Sequence, residues 1–170
     1  MKLDNYIRAV PDFPVRGVLF RDLTPMMADH AALQEAVRQL VAPFLSERID
    51  MVAGVEARGF IFGVLAAAQL GTGFMPLRKL GKLPGPVESV NYQLEYGDAC
   101  LQAQRNTLAP GSRVLIVDDV LATGGTLVAA SELVARLGVE VVGLAVIMEL
   151  VALRGRPRLS AHRLHSVMTA

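Results

Sequence analysis

Val114-Leu115-Ile116-Val117-Asp118-Asp119-Val120-Leu121-Ala122-Thr123-Gly124-Gly125-Thr126 is an apolar run that ends in two acids and then a loop of small residues. Val114 to Val117 has the pattern of a parallel strand buried on both faces. A helical pattern follows from about Leu127 to Leu137. A strand that feeds a glycine-rich turn at a helix N-terminus makes an anion cradle. Free backbone N–H groups and the positive end of the helix dipole converge there, and glycine lets the anion come close. Ala122, Thr123, Gly124, Gly125 and Thr126 are therefore the candidate phosphate loop, with two threonine hydroxyls as extra donors.

Asp118 and Asp119 select the phosphate. Carboxylates would repel a bare anion, so they need another partner. An ionised carboxylate only accepts hydrogen bonds and a sugar hydroxyl donates them. One phosphate cradle beside two acids fits a ribose 5-phosphate. The bland alternative is an ordinary strand-turn-helix with a solvated acidic turn.

The rest of the chain suits this reading. At 170 residues it reads as one domain, 1–170, large enough for a substantial core. Apolar residues make up 52% and charged residues 19%, as expected of an α/β fold whose central strands are covered on both sides. A net charge of +1 gives no reason to expect nucleic acid or an anionic membrane as partner. The single Cys100 and the lack of a signal-peptide pattern fit a cytoplasmic protein. Gly59 to Leu77 is uncharged and long enough to suggest a membrane span. Its glycines, Gln69 and Pro76 fit better a helix over 60–70, a Gly71 cap and a strand over 74–77.

Along the chain, Leu3 to Ile7 reads as a short helix and Pro11 to Asp22 as a loop. Asp29 caps a helix over 31–47, and Met51 to Val55 is a short buried strand. Gly81 to Gly97 reads as a mobile excursion or short hairpin, with a return strand over 100–104. Val139 to Met148 is a further buried strand, and 159–167 a weak one. Alternating strands and helices predict a doubly wound parallel sheet, whose ligands sit beyond the carboxyl ends of the strands. Three strands end in loaded loops: 56–59, 78–82 and 118–126.

Arg58, in Gly54-Val55-Glu56-Ala57-Arg58-Gly59-Phe60, stands at a helix N-terminus, as a diphosphate ligand or a solvated cap. Phe60-Ile61 replaces the Lys-Ser/Thr of a Walker A loop. Arg78-Lys79-Leu80-Gly81-Lys82 is either a basic surface loop or a site for a polyanionic leaving group. Phe20 is a core anchor or a face for a stacked base. Glu95 is a solvated glutamate or an acid–base group. The three histidines have no partners at metal-ligand spacing.

These segments together resemble the adenine phosphoribosyltransferases over nearly the whole chain. The matching pieces are Pro11-Asp12-Phe13-Pro14, Gly17-Val18-Leu19-Phe20-Arg21-Asp22, Ala57-Arg58-Gly59-Phe60, 78–85, Leu94-Glu95-Tyr96-Gly97 and the 114–126 signature. The resemblance implies the type I phosphoribosyltransferase fold, with a small hood over about 84–99. It implies transfer of phosphoribose from phosphoribosyl pyrophosphate (PRPP) to adenine, giving AMP and pyrophosphate. Mg²⁺ would be carried by PRPP, with no direct protein ligands. Adenine would stack on Phe20 under Val120 and be read by the backbone at Leu19 and Arg21. Asp118 and Asp119 would hold the ribose. Pyrophosphate would lie near Glu56, Ala57, Arg58, Arg78, Lys79 and Lys82. Glu95 and Arg58 would be catalytic, and Tyr96 would shield the site. A homodimer and a cis peptide near Glu56–Ala57 are also implied. Leu80 and Val120 depart mildly from the family pattern, and the tail after Arg154 is the least family-like part. Two other readings are a transferase for another purine such as xanthine, and a PRPP-sensing regulator. Such regulators usually add a DNA-binding domain and a basic face, which this sequence does not display.

Overall fold

The computed structural model describes residues 1–93 and 97–170. An N-terminal ribbon, β1 (Arg8–Pro11) and β2 (Leu19–Asp22), precedes α1 (Thr24–Ala28) and α2 (His30–Val41). Then come β3 (Met51–Val55), α3 (Gly59–Leu70), β4 (Gly73–Lys79), β5 (Val87–Gln93), β6 (Asp98–Gln104), β7 (Arg113–Leu121), α4 (Gly125–Arg136), β8 (Glu140–Glu149) and β9 (Leu164–Thr169). The main sheet runs β5-β6-β4-β3-β7-β8-β9. Strands β4, β3, β7, β8 and β9 are parallel; β6 runs antiparallel to β4 and β5. The fold is the expected α/β sheet with an antiparallel edge added.

β7 is apolar at successive positions because both faces are covered. Val114 and Ile116 share a buried cluster with Leu127 and Leu133 of α4. Leu115 and Val117 share the other with Val37 and Leu40 of α2 and Phe62 of α3. Side chains alternate across a strand, so a strand buried on both sides shows no polar alternation. Missing side chains let α3 sit close to β3. A Cβ on Gly54 would come within 2.5 Å of the Phe74 ring, and one on Gly63 within 2.8 Å. Gly71 ends α3 in the left-handed conformation, as the sequence predicts. The uncharged 59–77 stretch is thus α3 and β4. Among the described residues no helix is long and apolar enough to cross a membrane.

Two local expectations differ. Residues 11–22, read as loop, begin and end in the β1–β2 ribbon, closed at its tip by a 2.7 Å hydrogen bond from the Gly17 N–H to Asp12 Oδ1. A short ribbon with no fully buried residue leaves no period-two signal. α2 stops at Val41 rather than 47, because Pro43 cannot donate to the helix ladder and the chain tightens into a 3-10 turn over Ala42–Phe44. Of the two readings of the segment after Gly81, the hairpin is the one the strand pairing fits: β5 pairs with β6 from Val87↔Gln104 to Gln93↔Asp98.

Candidate active site

The carboxyl ends of β3, β4 and β7 meet the ribbon strand β2 around a cleft of about 550 Å³. Its walls bring together Leu19, Phe20, Arg21, Glu56, Ala57, Arg58, Lys79, Asp118, Asp119, Val120, Ala122 and Thr126. Thr123, Gly124 and Gly125 complete the turn between β7 and α4, with Gly124 as its N-cap in the left-handed region at φ 85°. The first N–H groups of α4 are left without a side-chain cap. An anion at that end would supply the missing acceptors.

Asp118 and Asp119 are both buried, at 8% and 5% exposure. The Asp119 N–H donates to Asp118 Oδ1 at 2.8 Å. Burial first, then the adjacent Asp119 charge, pushes the Asp118 carboxyl well above the usual carboxylate range; the Asp119 N–H and Arg58 oppose this. Asp119 Oδ2 forms an ion pair with Arg58 Nε, but no donor is aligned on it as a hydrogen bond. A buried carboxylate oxygen without a donor is costly. It is a ready acceptor for a ligand hydroxyl. A Cβ on Gly59 would lie 2.9 Å from Asp118 Oδ1, so glycine at the start of α3 is what admits the acid there.

Arg58 leads into α3 and its guanidinium carbon lies 5.7 Å from the centre of the Phe20 ring. Phe13 meets the edge of the same ring at 5.1 Å between centroids. Phe20 is therefore no core anchor: it is only half-buried, held by an edge contact and a cation, on the wall of the cleft. The Glu56–Ala57 peptide is cis.

The basic turn divides. Lys79 lines the cleft, while Arg78 and Lys82 do not. Arg78 donates to both oxygens of Glu56 at 3.2 and 3.3 Å and to the Lys82 carbonyl at 3.1 Å. The Lys79 N–H donates to Glu56 Oε2 at 2.9 Å. These bonds, the Arg78 guanidinium first, hold the Glu56 carboxyl below its ordinary range. The Glu56 side chain thus braces the turn between β4 and β5. Glu95 and Tyr96 lie outside the described residues.

Tyr92 of β5 also lines the cleft and was missed in the sequence. Burial raises its phenol, and a hydrogen bond with Thr126 of the phosphate loop opposes that rise. The period-two spacing of Val90 and Tyr92, opposite Leu101 and Ala99, was the available signal. Among the described residues no group of three or more His, Cys, Asp or Glu is placed to hold a metal ion.

The phosphoribosyl transferase domain model matches residues 24–167. The chain belongs to the phosphoribosyltransferase family. Within that family it is 55% identical over 167 residues to the adenine phosphoribosyltransferase of Nitrosococcus oceani, a match that covers 98% of each chain. The crystal structure of adenine phosphoribosyltransferase from Rhodothermus marinus superposes with a TM-score of 0.93 at 46% identity, covering 99% of this chain and 96% of that one. The Saccharomyces cerevisiae enzyme, solved with adenine and an imino-altritol bisphosphate, gives a TM-score of 0.90 at 38% identity, covering 96% and 94%. The acid pair, Thr126 at the start of α4, Arg58 and Lys79 all line the one cleft.

Proposed function

We propose that this chain is a purine-salvage enzyme that transfers the phosphoribosyl group of PRPP to adenine, giving AMP and pyrophosphate. The observation that carries this is one cleft that joins the buried acid pair, the uncapped start of α4, the cation of Arg58 and the face of Phe20. The start of α4 holds the 5-phosphate. Asp118 and Asp119 accept from the ribose hydroxyls, the orphaned Asp119 Oδ2 among them. Adenine lies on Phe20, with Val120 across from it. N9 of adenine bonds to the sugar C1 as the C1–O bond to the diphosphate breaks, and the bonding pair leaves on the diphosphate. Arg58 and Lys79 stabilise that leaving group. The two acids stabilise the cationic character that develops at the sugar.

Mg²⁺ fits this site as a passenger on PRPP: the acid pair offers two carboxylates and an acceptor without a donor, and among the described residues no third His, Cys, Asp or Glu joins them in a cage. Bound there, it neutralises charge on the diphosphate. We place the enzyme in the cytoplasm as a homodimer. α3 supports the dimer: it is apolar on every side yet leaves Ile61 and Val64 exposed.

Mixing the protein with PRPP, Mg²⁺ and each purine base tests the assignment. AMP should form from adenine, and chelation by EDTA should abolish it. Product from xanthine, guanine or hypoxanthine but none from adenine would sink it, and PRPP-dependent binding of specific DNA without turnover would favour the regulator. Light scattering on the same sample should give twice 18.2 kDa.

Glu95 is proposed to manage the proton on the purine ring as N9 attacks, and Tyr96 to shield the site. Glu95→Gln should lower turnover by about a hundredfold, the low end for a positioned acid–base group, with PRPP affinity nearly unchanged. Wild-type turnover in that variant would remove Glu95 from the mechanism.

A further inference from the structure

The tail after Arg154, the part of the chain least legible in the sequence, lies directly against the phosphate loop. The left-handed Gly124 packs on Gly155: a Cβ on Gly124 would come within 2.8 Å of the Gly155 carbonyl oxygen. A Cβ on Gly155 would in turn collide with the Ala122 carbonyl oxygen and lie 2.9 Å from the Gly124 nitrogen. Two residues bare of side chains thus press tail backbone onto loop backbone. Three residues on, Arg158 donates from one guanidinium nitrogen to the Thr123 carbonyl at 3.1 Å.

The tail is itself anchored. Arg156 forms an ion pair with the buried Glu149 at the end of β8, and its Nε lies 2.9 and 3.0 Å from the two carboxylate oxygens. Ser166 of β9 donates to the same carboxylate at 2.8 Å, and Arg156 donates to the Leu164 carbonyl at 3.2 Å. Leu159 is buried in the cluster that holds Leu121 and Leu127, on either side of the loop. The Leu150 N–H donates to the Leu121 carbonyl at 2.9 Å, one residue before the loop starts. Arg158 is therefore a donor on a fixed base, exposed and outside the residues that line the cleft.

We propose that Arg158 is a positioning residue for the 5-phosphate site: it holds the Thr123 carbonyl toward the tail and so aims the Gly124 N–H into the phosphate cradle. The Thr123–Gly124 peptide is trans, since the cis bonds lie at Phe13–Pro14 and Glu56–Ala57. A trans peptide points its C=O and N–H in opposite directions. Fixing the oxygen therefore fixes the donor. Without Arg158 that peptide can rotate, since Gly124 tolerates many backbone conformations, and a carbonyl turned inward would repel the phosphate. The inference rests on the phosphoribosyl reading and deepens it.

The test compares wild type with Arg158→Met and Arg158→Lys in direct binding of AMP, ribose 5-phosphate and pyrophosphate. Arg158→Met should weaken AMP and ribose 5-phosphate by roughly tenfold, the effect of losing one charge-assisted hydrogen bond. Pyrophosphate affinity and Tm should hold, since it binds at the other end of the cleft. KM for PRPP should rise with kcat nearly constant, as for an interaction equal in ground and transition states. Arg158→Lys should recover part of the loss. The defect should persist in about 0.5 M salt, where a long-range charge effect would be screened. Unchanged AMP affinity in Arg158→Met overturns the proposal. So does a parallel loss for AMP and pyrophosphate with a lower Tm, which marks a merely structural role, and so does a defect that vanishes in salt. If wild type itself binds neither AMP nor ribose 5-phosphate, the functional reading fails first, and the two failures are told apart.

Discussion

The double variant Asp118→Asn, Asp119→Asn should lose about a thousandfold in turnover, the upper end for removing preorganised electrostatic groups, while its Tm at neutral pH stays level or rises. The loss follows from the ligand. Each amide presents an NH₂ where a ribose hydroxyl must donate, and neither carries charge to set against the developing sugar cation. The stability result follows from burial. Asp118 is desolvated and sits beside a second acid, so its charged form is disfavoured in the folded state. Removing Asp119 leaves Arg58 half exposed, where water solvates it at little cost. The sign with pH is fixed. A carboxyl whose folded pKa is raised contributes stability below its unfolded value, near 3.8, and loses it as pH rises through the folded pKa. The Tm of Asp118→Asn minus that of wild type should therefore climb as pH rises from near 3.8 through the folded pKa and level off above it. Taking the difference cancels carboxylates such as Glu35, lowered to about 2 by its bonds with Arg38 and Gln39, whose contribution has the opposite sign. Full activity in the double variant, or a Tm difference that falls with pH, would refute the placement of this pair.

That pair could be read from the sequence because its cause is local. A strand buried on both faces writes an unbroken apolar run, and acids at its carboxyl end need a partner whatever surrounds them. The glycine loop and Arg58 are likewise tied to a strand-to-helix turn that spacing alone reveals. Residues that act across the sheet leave no such trace. Tyr92 reaches Thr126 from β5, on a hairpin at the far edge of the sheet. Arg158 reaches Thr123 across 35 positions of chain. Glu56 reads as one more ligand in a charged turn, and only the packed structure gives its carboxylate to Arg78. Gly155 is an ordinary loop glycine until the Ala122 oxygen is found against it. The N-terminal ribbon was missed for another reason: its four-residue strands hold no fully buried residue and so carry no buried face to pattern.

Arg58→Met should cost between about 10² and 10³ in turnover and also destabilise the fold, and the two effects should separate in a second variant. In the free protein Arg58 is the cation for the buried Asp119, and the same guanidinium stands beside Phe20. In the proposed reaction pyrophosphate would draw this arginine toward itself, while the ribose hydroxyls would take over the acid. Arg58 would thus serve two anions in turn. Removing it leaves the leaving group without its nearest fixed cation. It also leaves Asp119 buried and uncompensated, a situation that lowers Tm because a desolvated charge has lost its partner. In Arg58→Met, Asp119→Asn that uncompensated charge is gone, so Tm should return toward wild type while turnover stays low. Arg58→Lys keeps the charge but lacks the planar fork that reaches two oxygens at once. It should keep Tm and recover only part of the rate. Calorimetry on the four proteins, with single-turnover formation of AMP, checks this. If restoring Tm in the double variant also restored turnover, Arg58 would act only through Asp119, and the diphosphate would need another cation from this cleft, with Lys79 the one that lines it.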